Sequence, residues 1–322
     1  VETSYLWIKK FFLYNHLEHQ RSFFVKRKNT TMVLLFLGPC LLLYLLLFLY
    51  PAVKAFFVSL FDWNGFTSDM QFIGLGNFRE LFSDTHFWSV VMANSFGIIF
   101  FGGILTFGIA FFLSGLIATG PKGKKFMRGL IYFPSIINPV AVAILWSFIY
   151  NHQYGLLNGF LRVIGLGHIQ PTWTAPDTLF WAILVALVWM YSGFYFVILS
   201  SALERVPVDL VESAKLEGAS EFRIFFTIKI PMIWDVLVTT IIFWCITAVK
   251  EFSLLYAWGG GVDVPQAGAQ NLATYMYMTA FGRRVTMYRM GYSTAMGVVM
   301  FLIVALFYLI ITRLTRREEI QY

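Results

Sequence analysis

Three groups of residues in this sequence have types and spacings that chemistry could use. The first is Gly120-Pro121-Lys122-Gly123-Lys124-Lys125. Its glycines and lysines suggest a phosphate cradle, but the G-x-x-x-x-G-K-[ST] spacing is not met, so it reads as a basic loop. The second group is His16, His19, His86, His152 and His168, with Cys40 and Cys245. No H-E-x-x-H or C-x-x-C spacing occurs among them, so neither a metal site nor a disulfide framework is expected. The third group comprises Asn94, Asn138, Tyr191, Phe194, Trp244, Thr247, Lys250 and Glu251, polar or aromatic residues set inside long apolar runs. Polar groups in such runs are functional candidates. With no G-x-S-x-G elbow either, nothing supports covalent or metal catalysis. The chain is expected to be neither an enzyme nor the holder of a cofactor.

The elements that carry these residues follow from composition. Of 322 residues, 58% are hydrophobic and 13% charged, against about 25% charged in a soluble domain. That excludes a soluble enzyme and a disordered chain. The net charge of +7 then points to anionic lipid headgroups rather than nucleic acid.

Six stretches reach the length of about 20 apolar residues that a spanning helix needs. They are Met32 to Val53, Trp88 to Ala118, Leu130 to Tyr150, Leu179 to Leu203, Met232 to Trp258 and Tyr292 to Thr312. The expected fold class is therefore all-α: a polytopic membrane protein with six transmembrane helices and no broken helix near the midplane. With the N-terminus inside, the inner segments carry 17 of the 24 Lys and Arg and the outer segments five. Both termini are then cytoplasmic.

Residues 1–30 are expected to form a cytoplasmic amphipathic segment at the interface. The first span lies within 31–60, a core within 88–312 and a cytoplasmic tail at 313–322. The segment Gly155 to Ile164 is amphipathic and predicts a short surface helix. Gly259-Gly260-Gly261 predicts a flexible turn.

Two helix faces collect the third group of residues. Leu187, Met190, Tyr191 and Phe194 share one face of the fourth span, and Trp244, Thr247, Ala248 and Glu251 one face of the fifth. They either line a cavity or pack against neighbouring helices. Lys250 and Glu251 point about 100° apart and so do not pair with each other.

The inner loop 207–231 is the most informative segment. Pro207 and Asp209 suit a helix start, Val208 to Glu217 predicts one short helix, and Gly218 suits the left-handed residue that ends it. Pro231 then opens the fifth span. A compact helix with a sharp exit suits a docking element.

This loop resembles the coupling loop of permease subunits of binding-protein-dependent ABC importers, with the pattern E-A-A-x-x-x-G, nine residues, then I-x-L-P. Glu212, Ala214, Gly218, Ile228 and Pro231 match, while Ser213 and Ile230 depart mildly. Ser59 to Trp63, Gly74 to Phe78, Phe126 to Pro134, Gly155 to Asn158 and Gly291 to Ala295 resemble the sugar-importer branch, similar to the first permease of maltose-type systems.

The resemblance implies a type I transmembrane domain in the inner membrane that works by alternating access. Its partners would be a second homologous permease, two cytoplasmic ATPase subunits that bind ATP and Mg, and a periplasmic or tethered solute-binding protein. It also implies an oligosaccharide substrate. The two helix faces resemble the sugar-contacting faces of that family, but Leu187 and Tyr191 are bulky where the family is polar or small, so its contacts do not carry over. From their polarity and their aromatic faces, which suit sugar C–H surfaces, Tyr191, Phe194, Trp244, Thr247, Glu251 and Asn94 are the substrate-cavity candidates. Arg283, Arg284 and Arg289 fall on the outer side. Their charge would draw either an anionic, alginate-like oligosaccharide or an acidic face of the binding protein. A neutral maltodextrin-like sugar and glycerol phosphate are alternative substrates, and a secondary transporter or channel independent of an ATPase is the alternative function.

Overall fold

The computed structural model describes residues 32–118, 123–258, 266–282 and 288–315. The expectations for residues 1–30, Gly259-Gly260-Gly261, Arg283 and Arg284 lie outside them. The chain divides into two units, Val1–Phe57 and Val58–Tyr322.

The described part of the first unit, Met32–Phe57, is helical throughout; its helix, α1 (Met32–Val58), continues five residues beyond the expected Val53. No residue of Met32–Phe57 is buried in the chain. Its Leu45–Leu49 turn is π-helical, closed by the amide of Tyr50 on the carbonyl of Leu45. Pro51 explains the widening: it has no N–H to donate, and its ring crowds the carbonyl four residues back.

The second unit opens with a clamp rather than a span. Phe61–Asp62 (β1) and Gln71–Phe72 (β2) pair antiparallel, a two-residue ladder in an otherwise helical fold. Helix α2 (Gly76–Ser83) follows. The buried Asn77 donates from Nδ2 to the carbonyls of Ser59 and Phe61, both at 2.9 Å. Gly291 approaches the same strand so closely that a Cβ there would lie 1.9 Å from the Phe61 carbonyl oxygen.

The long helices are α3 (Phe87–Ala118), α7 (Leu179–Leu203) and α13 (Met290–Thr315). Two π-helical turns, Phe87–Met92 and Ile98–Gly102, interrupt α3. The packing of α3 against α7 is the most extensive in the fold. Small residues permit it: a Cβ on Gly97 would sit 2.6 Å from the Phe180 ring.

The third span is not the single helix expected for Leu130 to Tyr150. Helices α4 (Lys124–Ile136) and α5 (Pro139–Ile149) meet at 97°. The cause is local. Pro139 disfavours the helical region for the residue before it, and Asn138 is extended, with φ −57° and ψ 130°. The Asn138 Oδ1 then accepts from Val140 N at 2.8 Å and caps α5. Ser135 Oγ donates to the Met190 carbonyl at 2.7 Å, seating the elbow on α7. At Gly193 a Cβ would fall 2.2 Å from the Ile131 carbonyl oxygen.

The amphipathic segment forms helix α6 (Leu156–Val163) as expected. The loop between the fourth and fifth spans supplies α8 (Val208–Leu216) and a second helical stretch, α9 (221–232). The fifth span also differs from the unbroken helix expected. It divides into α10 (Trp234–Lys250) and α11 (Ser253–Trp258) at an extended Glu251. Helix α12 (Leu272–Phe281) starts at a reciprocal capping box between Asn271 and Thr274.

Candidate functional site

The loop that links α7 to α10 is built from its ends inward. Helix α8 closes with the Glu217 amide on Ser213, the Gly218 amide on Lys215 and the Ala219 amide on Ala214, the last two at 3.0 Å. This is the double bond pattern of a left-handed helix end. Gly218 has φ +83° and its Cβ position is open space. Only the backbone conformation, not crowding within the chain, requires glycine there.

Ser220 caps α9 by accepting from Arg223 N at 3.3 Å. Glu221 pairs with Lys215 at 2.5 Å and reaches Lys229 at 4.0 Å, tying α8 to the entry of the fifth span. Glu212 and Gly218 are exposed, and Ala214, Ile228 and Pro231 are half-buried. Leu210, Leu216, Phe222 and Phe226 also stand exposed around the loop. Exposed apolar surface of this kind marks a protein or membrane contact.

At the start of the same loop, Glu204 receives Arg128, and Lys124 at 2.7 Å. The hydrogen bonds from Arg128 and then Lys124 hold its carboxyl below the usual range. The latch joins α4 to the base of α7. A depressed carboxyl pKa gives an attraction that is complete above the unfolded value, about 4.3 for Glu, and is lost as pH falls below it. Hydrogen exchange of residues 124–130 is therefore expected to be unchanged between pH 7 and pH 5, after correction for the intrinsic rate, and to rise below about pH 4.3. Glu204→Gln should show the faster exchange at every pH.

Of the third group, Tyr191, Trp244, Thr247 and Glu251 come together in a largely buried hub instead of lining an open cavity. The Tyr191 hydroxyl donates to Glu251 Oε2 at 2.6 Å, and Glu251 Oε1 accepts from Leu254 N at 3.1 Å. Asn271 Nδ2 donates to the Glu251 carbonyl at 2.5 Å. Glu251 is thus the cap of the broken fifth span and the point where α7, α10, α11 and the start of α12 meet.

Trp244 stacks edge-on against Tyr191 and Tyr195, with ring centroids at 5.9 and 5.8 Å. Its Nε1 donates to the Ile99 carbonyl at 2.8 Å. Thr247, on α10, is half-buried beside these rings. Phe194 lies edge-on to Tyr195 at 5.2 Å and is exposed. Asn94 is not part of this hub. Its Nδ2 donates to the carbonyls of Ala267 and Gln270, at 2.7 and 2.8 Å, on the segment before α12.

Arg289 does not stand as a free charge. Its guanidinium forms two bonds to Glu80, at 2.8 and 2.6 Å, and lies 4.4 Å from the Tyr292 ring centroid. Sequence reasoning missed this pair because Glu80 lies 209 residues away.

A match to the model of the binding-protein-dependent transport system inner membrane component covers residues 109–320. The chain belongs to that family. Its members are components of inner-membrane transport systems. The chain is 30% identical to the diacetylchitobiose uptake system permease protein NgcF of Streptomyces coelicolor, over 90% of this chain and 85% of the relative. It is 29% identical to the trehalose/maltose transport system permease protein MalF of Thermococcus litoralis, over 74% and 80%. Among solved structures, a chain of a bacterial alginate ABC transporter in complex with an alginate pentasaccharide-bound periplasmic protein matches with a TM-score of 0.75. That match has 20% identity and covers 90% of this chain and 96% of the other.

Proposed function

We propose that this permease serves an ATP-driven importer of oligosaccharides, and that loop 207–231 is where a cytoplasmic ATPase subunit docks. The observation that carries this reading is the exposed apolar face around α8, ended by the left-handed Gly218. Glu212, Ala214, Gly218, Ile228 and Pro231 form the coupling surface. ATP and Mg belong to the partner ATPase pair, and a second, homologous permease completes the pathway. The loop lies on the side that carries 17 Lys and Arg, which supports a cytoplasmic position for it and for both termini.

Alternating access has material to work with. The elbow at Asn138 leaves non-helical backbone within a span, and Asn138 is exposed. Such backbone is tolerated at membrane depth only against protein or a water-filled cavity. In the closed hub, Tyr191, Trp244, Thr247 and Glu251 are packed together, and Phe194 remains accessible. Opening of the pathway beside the elbow would present their aromatic and hydroxyl groups to a sugar.

Two substrate classes have support. Arg283, Arg284 and Arg289 favour an acidic, alginate-like oligosaccharide, and a chain of the same fold works in an alginate transporter. The neutralisation of Arg289 by Glu80, and the diacetylchitobiose and trehalose/maltose systems of the relatives NgcF and MalF, favour a neutral oligosaccharide. The test reconstitutes the chain with its co-purifying subunits and measures ATPase stimulation by binding protein loaded with acidic or neutral oligosaccharides. Stimulation by one class assigns the substrate. Failure of any ATPase to co-purify with the chain would reject the docking proposal in favour of a transporter that works alone.

A further inference from the structure

Helix α6 presents a surface that neither the coupling loop nor the hub uses. Leu156, Phe160, Val163 and Ile164 are 72, 61, 86 and 49% exposed. Their spacing of i, i+4, i+7 and i+8 places them on one stripe. Asn158 lies roughly half a turn away and is fully buried. Its Nδ2 donates to the His152 carbonyl at 3.0 Å, and its Oδ1 accepts from Trp173 Nε1 at 2.9 Å. The helix is therefore fixed to the protein by one face and turns its apolar stripe away from it.

The depth of α6 follows from its anchor. Trp173 packs 6.1 Å from Tyr150, whose ring is also 5.1 Å from Trp146 and 5.8 Å from Trp258. The Tyr150 hydroxyl donates to the Ala182 carbonyl at 3.0 Å. These aromatic residues cluster at the ends of the third, fourth and fifth spans, as residues at a membrane–water boundary do. Helix α6 begins seven positions after Ile149, the last residue of α5. Its one charged residue, Arg162, lies off the stripe and donates to the Gln153 carbonyl at 3.2 Å.

We propose that α6 lies in the headgroup–acyl boundary of the leaflet opposite the coupling loop, with its Leu156/Phe160/Val163/Ile164 stripe buried in lipid. It anchors the far end of the bent third span to the bilayer. Helix α6 packs against α5, on which the apolar Ile144, Leu145 and Phe148 are exposed as well. The occupant is the bilayer itself and not a protein partner.

The test uses the full chain with its co-purifying subunits in phosphatidylethanolamine–phosphatidylglycerol nanodiscs. Cys40→Ser and Cys245→Ala provide a background for single spin labels at Phe160→Cys, Val163→Cys and Arg162→Cys. The readout is the ratio of label collisions with oxygen, which concentrates in lipid, to collisions with a water-soluble nickel chelate. The ratio is expected to be several-fold higher at positions 160 and 163 than at 162. Equal ratios at all three positions would place the stripe in water and overturn the proposal. Low collision rates with both reagents at 160 and 163 would mean a protein covers the stripe, and would overturn it equally. The readout needs no transport, so its failure is separate from failure of the importer reading.

Discussion

Gly218→Val is expected to abolish substrate uptake while leaving the chain inserted and folded. Gly218 has φ +83°, and a β-branched residue there is strained by roughly 1–2 kcal/mol or more. The chain itself leaves the Cβ position empty, so the cost falls on the backbone turn that ends α8. The strain is relieved by unwinding that turn, which breaks the bond from Ala219 N to the Ala214 carbonyl and displaces the docking face. A factor of ten in assembly corresponds to about 1.4 kcal/mol, so ATPase retention should fall by about tenfold or more. Gly218→Asn, which tolerates the left-handed region, should retain most of the uptake. Initial uptake rate and ATPase co-elution check both variants. Equal loss in valine and asparagine variants would point to a side-chain clash with the partner instead of backbone strain.

Gly193→Val should produce a large loss of stability. Its Cβ would fall 2.2 Å from the Ile131 carbonyl oxygen and 3.0 Å from the Tyr132 Cα. Both neighbours are backbone and cannot rotate away. Helix α4 must therefore separate from α7, and the bond from Ser135 to Met190 is lost with it. Overpacking of this kind costs about 1–3 kcal/mol and occasionally more. Thermal unfolding in detergent checks it, with Gly108→Ala as the control, because nothing lies within 4 Å of the Cβ position there. The control should be neutral or mildly stabilising, since alanine suits a helix better than glycine.

The spans were legible because a run of apolar residues long enough to cross a bilayer has few other uses. The helix end at Gly218 was legible for a similar reason: glycine after a short helix is the ordinary solution to a left-handed turn. The elbow of the third span was not anticipated. Hydropathy averages over Leu130 to Tyr150 and is blind to the single φ/ψ restriction that Pro139 places on Asn138. The cue, a proline preceded by a capping residue, was present in the sequence.

Glu251 was read as a cavity candidate from its face and its polarity. The structure gives it a capping role as well, which depends on Tyr191 and Asn271, residues distant in sequence. Asn94 was likewise chosen for polarity within a span, and its partners are two backbone carbonyls more than 170 residues away. Three residues within the sugar-importer motifs have physical reasons for their identity. Asn77 and Gly291 hold the loop before α2, and Asn158 holds α6.

The Ile98–Gly102 turn of α3 has a consequence for how this chain can change in length. A π-helical turn adds a residue to a helix without adding a turn, so side chains on either side of it are offset by about 100° from ordinary helical register. Gly102 and Gly103 meet the Trp244 ring, with Cβ positions 2.8 Å from its atoms, while the Ile99 carbonyl accepts both the Trp244 indole and the Gly103 amide. Deleting one residue here would restore regular helix and rotate one half of α3 against the other. Trp244 would then face a side chain where it now faces glycine. The second span is thus a counted segment: away from Gly97, Gly102 and Gly103 its apolar residues can exchange, but its number of residues cannot change.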